Sequence, residues 1–413
     1  MIPLEEARAF VVGRQAPLGP TKRTRADALG CVLASAVVAG EAVPPFANAA
    51  MDGYAVRAAD CRQAPTRLEV VAAVMAGDAP GRPLGPGQAA RIMTGAPIPP
   101  GADAVCVLEA SHLASPSGDV VVLEEPVEPG DNVRQPGEDL RSGEVLFRPG
   151  TVLGPAHLGV LAGLGIEALE VHPRPKVGVL ATGSELVAGA GPLPPGKIRD
   201  ANRPALLALL ARAGFDPVDL GIVHDDETAI AAALERAAEC DAVLATGGAS
   251  HGDRDVLHDV LAKMASGACR SMEVSIKPAK PFVYGEIGPR ATPVFGLPGN
   301  PVSALVSFEL LARPALRAMA GERSIEPPLL EARAAEAFRR RPDGRTHFLR
   351  AVAGVDGRGR LEVRSAGGQG SHQLSALARA NALVVLPDGE GPGPGEAVRV
   401  LLLDPDRLEV LGP

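Results

Sequence analysis

The chain has 413 residues and a formal net charge of −8, with acidic and basic residues interleaved along it. That length allows roughly two to four domains, and that balance argues against broad nucleic-acid binding and against a basic membrane-surface helix. No charged-then-apolar leader and no apolar run long enough to span a bilayer occurs, so a cytoplasmic protein without a membrane partner is expected. The five cysteines are scattered with no C-x-x-C pair, and the eight histidines form no zinc spacing.

Residues 3–13 carry helix signals: Pro3, Glu5 and Glu6 in the first turn and Gly13 as a stop. A second helix, or a helix-to-strand passage, is expected over 27–39. The segment from Pro44 to Arg57 contains Asp52-Gly53, which alone reads as a turn, followed by one of only two tyrosines, Tyr54. Short β runs at 68–74, 89–93, 104–108 and 120–123, broken by Gly and Pro, predict a separate antiparallel β domain or small barrel. Within it, Thr94 sits beside Gly95 at a strand end. A helix over 153–164 and a strand over 166–171 lead to Pro173-Arg174-Pro175, a boundary.

From 176 to 320 strand and helix alternate: strand 177–182, helix 203–213, strand 217–223, helix 227–238 and strand 242–246. Asn202 is the candidate cap of the first helix, with Pro204 in its first turn and Gly214 past its end. This β-α-β-α-β order implies a parallel doubly wound sheet, whose ligand crevice lies at the carboxyl ends of its strands. At those ends the apolar runs stop in Thr182-Gly183-Ser184-Glu185 and in Thr246-Gly247-Gly248-Ala249-Ser250, with Asp253 and Asp255 just beyond. Glycines there let backbone approach a ligand. Two further strands, 274–277 and 282–284, surround Lys277-Pro278-Ala279-Lys280-Pro281. In Gly296-Leu297-Pro298-Gly299-Asn300-Pro301, Asn300 is placed at N-cap and Pro301 at N1 of a helix whose start suits an oxyanion. After Pro327 short strands return, predicting a small C-terminal barrel, with Gly367–His372 leading into a short helix.

Asp52, Glu185, Asp225 and Asp255 each follow an apolar run in a turn, and such oxygen ligands suit Mg²⁺ beside a phosphate. Lys277, Lys280, Ser303, Arg350 and Ser371 suit an oxyanion. An acidic site beside a basic one fits metal-assisted chemistry on a phosphoanhydride or a transferred oxyanion. No G-x-G-x-x-G, P-loop or nucleophile elbow is present.

Five motifs carry a resemblance: P-x-F-x-N-x-A-M-D-G-Y-A-V-R at 45–57, I-M-T-G-A-P at 92–97, T-G-x-E-L at 182–186, G-G-x-S-x-G-x-x-D at 247–255 and G-L-P-G-N-P-V-S at 296–303. Together, and in this order, the chain resembles the molybdopterin molybdenumtransferases of the MoeA and gephyrin E-domain type. The resemblance implies an α/β plus β multidomain fold: a doubly wound molybdopterin-binding domain (1–19 and 173–325), a linker or dimerisation domain (20–37 and 139–172), a β-rich domain (38–138) and a C-terminal β-barrel (326–413). It implies the last step of molybdenum cofactor assembly, in which Mg²⁺-dependent cleavage of adenylylated molybdopterin accompanies molybdate insertion and AMP release. It further implies a homodimer whose site joins the α/β domain of one subunit to the Asp52 loop of the other, and the adenylyltransferase and molybdoenzyme maturation proteins as partners.

By the same resemblance Asp52, Glu185, Asp225 and Asp255 form the catalytic set, the last three holding Mg²⁺. Thr94, Gly247, Gly248 and Ser250 serve the pterin nucleotide, Lys277, Lys280, Ser303, Arg350 and Ser371 take molybdate, and Pro298 and Pro301 shape the wall. Four departures bear on affinity: Ala47 where Asp is frequent, Ala201 for Ser or Thr, Ala279 for the glycine of K-P-G-K-P, and Glu273 where a bacterial relative has Lys. The alternatives are a non-catalytic pterin-binding scaffold and the preceding adenylyl transfer. The second is disfavoured by the domains outside 173–325.

Overall fold

The structure is a computed structural model describing residues 1–114, 116–247 and 256–410. The chain forms two compact units, one of residues 1–34, 149–158 and 167–413, the other of 35–148 and 159–166.

The first unit holds a six-stranded sheet in the order Asp216–Val223, Lys176–Thr182, Ala242–Thr246, Thr292–Leu297, Pro281–Ile287, Ala265–Glu273. The first four strands run parallel; Pro281–Ile287 runs against them and pairs antiparallel with Ala265–Glu273 as well. Period-two alternation decides which side chains cover which face. Val177, Val179, Ala242 and Leu244 pack under the helix Asn202–Arg212, through Leu206 and Leu210, and under the Pro301 helix. Leu180, Val243 and Ala245 face the helices Glu227–Arg236 and Val256–Met264 on the other side. The expected doubly wound sheet is therefore present, extended by an antiparallel edge.

Three local expectations change. Residues 27–39 form no long helix: one 3₁₀ turn, Ala26–Ala28, precedes the short strands Val32–Leu33 and Val37–Val38. The helix at 202 is capped by Asp200, whose Oδ1 accepts from Arg203 N at 3.1 Å, and Asn202 is its first residue. The 274–277 strand is divided: Val274 bridges Ile2, while Ile276–Lys277 leaves the sheet and pairs with Thr346–His347 of the barrel.

That barrel is closed by five strands, in the order Thr346–Val355, Leu361–Ser365, Leu329–Ala334, Ala397–Leu402, Ala382–Leu386 and back to the first. Small inward residues such as Ala351, Ala353 and Ala382 meet Val384, Val398 and Val400, which fills the interior of so narrow a barrel.

The second unit is an open six-stranded sheet, Ala104–Val107, Gly53–Val56, Gln88–Ile92, Thr66–Val74, Val120–Leu123, Ser111–Leu113. It is neither purely antiparallel nor a barrel, because Thr66–Val74 and Gln88–Ile92 run parallel. The glycine-rich segment 75–87 between them is long enough for the crossover that parallel pairing requires. Among the described residues no helix is long and apolar enough to cross a membrane.

Candidate functional site

At the carboxyl ends of strands Lys176–Thr182, Ala242–Thr246 and Thr292–Leu297 lies a cavity of about 650 Å³, lined among others by Glu185, Asn202, Thr246, Gly247, Pro298, Pro301 and Ser303. Its floor is a hydrogen-bonded knot. The buried amide of Asn202 donates to Thr246 Oγ1 at 2.8 Å and to Gly299 O at 2.7 Å, and Thr246 Oγ1 donates to Pro298 O at 3.3 Å. The Pro298-Gly299 turn is thereby fixed to the start of the Asn202 helix. Gly247 is required by space as well as by φ (+100°): a Cβ there would lie 2.0 Å from Thr182 O.

Glu185 lines this cavity. Asp225, from the end of the neighbouring strand, accepts from Ser184 N at 3.1 Å and its own N–H donates to Ser184 Oγ at 3.3 Å. Lys197 Nζ donates to Ser184 O at 2.5 Å. Two of the expected carboxylates thus stand on turns joined through one serine. Gly248, Ser250 and Asp255 lie outside the described residues. Among the described residues no cluster of three or more His, Cys, Asp or Glu is placed to hold a metal. A hard cation that keeps several waters and shares substrate phosphates needs only one or two carboxylates, so Glu185 and Asp225 fit Mg²⁺ in ligand chemistry.

A second cavity, of about 680 Å³, shares Ser303 and Pro281 with the first. Lys277, Lys280 and Ser371 line it, as expected, together with Arg339, Arg340, Arg341, Arg345 and His347 from the segment entering the barrel. Among the described residues, Asp343 is the one carboxylate on its wall. It accepts from Arg340 at 3.0 Å, from Arg345 Nε at 3.1 Å and from His347 Nε2 at 3.1 Å. The Arg345 hydrogen bonds hold the Asp343 carboxyl well below the usual carboxylate range, with His347 adding to the effect. Burial pulls His347 below its ordinary value, with Asp343 opposing. The Arg339-Arg340-Arg341 run was the signal for this basic wall, and the sequence reasoning passed over it.

Arg350 does not line either cavity. It is wholly buried, and burial lowers its guanidinium from the ordinary value. Its Nη2 donates to Gly368 O at 2.7 Å and to Gly370 O at 3.2 Å, which secures the loop that carries Ser371. Asn300 and Pro301 take the expected positions at N-cap and N1. The first available helix N–H, on Val302, donates to Ser371 O at 3.1 Å, tying this end to the same loop.

In the second unit Asp52 and Thr94 meet. Asp52 Oδ1 accepts from both Thr94 N and Thr94 Oγ1, each at 2.7 Å, and these bonds, the backbone one foremost, lower the Asp52 carboxyl. Gly53 is a strand residue rather than only a turn glycine, since a Cβ there would lie 2.0 Å from Cys106 O.

Residues 2–165 match the MoeA N-terminal region (domain I and II), 178–318 a probable molybdopterin binding domain, and 331–403 the MoeA C-terminal region (domain IV). A molybdopterin molybdenumtransferase of Haemophilus influenzae is 37% identical over 97% of this chain and 98% of its own. Molybdopterin molybdenumtransferase 2 of Mycobacterium tuberculosis is 38% identical over 88% of this chain and 89% of its own. The crystal structure of a molybdopterin biosynthesis MoeA protein from Pyrococcus horikoshii superposes with a TM-score of 0.82 at 33% identity, covering 97% of this chain and 100% of that one. The chain belongs to the molybdopterin molybdenumtransferase, or MoeA, family of transferases.

Proposed function

We propose that this chain completes molybdenum cofactor assembly by inserting molybdate into adenylylated molybdopterin with release of AMP, in a Mg²⁺-dependent reaction. The observation that carries the reading is the shared wall: Ser303 and Pro281 border both an acid-edged cavity at the strand ends and a cation-lined one. A pterin nucleotide in the first presents its dithiolene to an oxyanion in the second without leaving the protein.

In this reading Glu185 and Asp225, with Asp255, hold Mg²⁺, which when bound neutralises the pyrophosphate charge. Gly247, Gly248 and Ser250 give backbone and hydroxyl contacts to the pterin nucleotide, between the walls made by Pro298 and Pro301. Lys277, Lys280, Ser303 and Ser371 hold molybdate by charge and hydrogen bonds, and Arg350 positions Ser371. Cleavage adds water across the P–O–P link, giving AMP and the pterin phosphate, while the dithiol passes its two protons to one molybdate oxygen, which leaves as water as the two sulfurs bond to molybdenum. A homodimer is proposed as the working form, Asp52 and Thr94 of one subunit completing the site of the other.

The test is AMP release from adenylylated molybdopterin, measured with and without molybdate and Mg²⁺. Release that needs both, with active cofactor formed in step, is the expected result. Binding of the pterin nucleotide with no AMP released under any condition would leave only a scaffold.

A further inference from the structure

We infer that Glu273 sets the anion threshold of the basic cavity by competing for the Lys280 ammonium, an inference that rests on reading that cavity as the molybdate site. Glu273 ends the edge strand Ala265–Glu273 and is paired in register with Pro281. Its carbonyl accepts from Ile2 N at 2.8 Å, and Val274 N donates to Lys280 O at 2.7 Å. The sheet therefore holds the two backbones side by side. From there Glu273 Oε1 reaches Lys280 Nζ at 2.8 Å. Lys280 lines the cavity and Glu273 does not, so the carboxylate holds the lysine from behind the wall.

The side chains are 31% and 48% exposed, which makes this a solvated pair weak enough to be exchanged. An entering oxyanion takes over Lys280 by out-competing the Glu273 carboxylate. Attraction scales with the product of charges, so a dianion displaces Glu273 where a monoanion does so poorly. Arg345 and the buried Arg340 are also paired to Asp343, and Arg340 to Asp388 as well. Arg340 is sealed in the wall, so Lys280 is the paired cation whose carboxylate an entering anion replaces. Glu273 raises the molybdate concentration required and favours dianions over monoanions.

The experiment is a molybdate titration of cofactor formation with wild type, Glu273→Gln, Lys280→Ala and the double variant, each repeated with added formate as a monoanionic competitor. Expected is a roughly two- to fivefold lower half-saturating molybdate in Glu273→Gln, with stronger inhibition by formate. In the Lys280→Ala background the same substitution shifts the value by less than about twofold, because the contact it removes is already gone. Glu273→Asp, which retracts the carboxylate by one methylene, falls between wild type and Gln and replaces the Gln variant if that fails to fold. An unchanged or raised half-saturation in Glu273→Gln, or an equal shift in both backgrounds, overturns the inference. Failure of the underlying reading looks different: Lys277→Ala and Lys280→Ala would then leave molybdate dependence unaltered.

Discussion

The amide of Asn202 donates to the carbonyl of Gly299 at 2.7 Å, joining two turns 97 residues apart in the chain. Both turns line the same cavity, and the same amide also meets Thr246. Replacing Asn202 by Ala removes both bonds in a buried setting, at a cost of about 1–3 kcal/mol. Urea unfolding of Asn202→Ala should show that loss, and binding of the pterin nucleotide should weaken with it. A variant as stable as wild type with unchanged binding would reduce the knot to decoration.

Glu185 and Asp52 are proposed to serve one reaction from different subunits. Glu185→Gln and Asp52→Ala homodimers should each lose AMP release while keeping their fold, as judged by circular dichroism. Mixed and allowed to exchange subunits, the two should recover part of the activity, since one of the two sites in each mixed dimer is then intact. Subunit exchange without recovery counts against a site shared between chains.

Lys277 is exposed at the cavity and, unlike Lys280, has no ion-pair partner among the described residues. A charge-assisted contact is worth about 1.5–3 kcal/mol, so Lys277→Ala should raise the half-saturating molybdate roughly ten- to a hundredfold. Calorimetry should find pterin-nucleotide binding nearly unchanged. The reverse pattern would exchange the two cavities' roles.

Ala279 stands at φ +80°, buried, in the left-handed region that costs a residue with a Cβ roughly 1–2 kcal/mol. The resembling family has glycine here. Ala279→Gly should therefore stabilise the fold by about 1 kcal/mol or less once the looser unfolded chain is counted, which urea unfolding reads as a higher midpoint. Destabilisation instead would mean that packing of the methyl outweighs the backbone strain.

The Asp343 cluster should make the barrel acid-sensitive. Asp343 has its carboxyl lowered in the fold, so its contribution is fully present above the unfolded value near ~3.9 and is lost as pH falls through the folded one. His347 is also lowered, and the unfolded chain therefore binds its proton first as pH drops below ~6.5, which weakens folding there. Unfolding followed from pH 7 to 3 should show a flatter upper limb in His347→Asn and a flatter lower limb in Asp343→Asn. Parallel curves for all three proteins would exclude the cluster as the source.

The sheet of the first unit was readable because each central strand is an unbroken apolar run bounded by turns, as in Ala242–Thr246, buried along its whole length. The edge strand Ala265–Glu273 was missed for the opposite reason. Its sequence, Ala-Ser-Gly-Ala-Cys-Arg-Ser-Met-Glu, has one neighbour and buries only Met272, so no apolar pattern announces it. The helix Val256–Met264 did carry a signal, Leu257, Val260 and Leu261 at helical spacing, and was passed over. In the site, Glu185, Gly247, Pro298, Pro301 and Ser303 could be grouped because each lies within a few residues after the carboxyl end of a strand of one sheet. Arg340, Asp343 and Arg345 could not, because closure of the barrel, a long-range event, brings them beside Lys277. Arg350 shows a further limit of spacing arguments: the position is central, but the side chain is sealed behind the loop it holds.

Ser303 and Pro281 belong to both cavities, and this restricts how the enzyme can be re-engineered. On the proposed assignment of the cavities, a substitution at either position alters two recognition problems at once, so a library selected for a different oxyanion would find its improvements elsewhere. Arg339, Arg341 and Lys277 border the second cavity alone, and Glu273 reaches it through Lys280. On the same assignment they are the positions at which tungstate or vanadate preference can be explored without retraining the enzyme to accept its organic substrate.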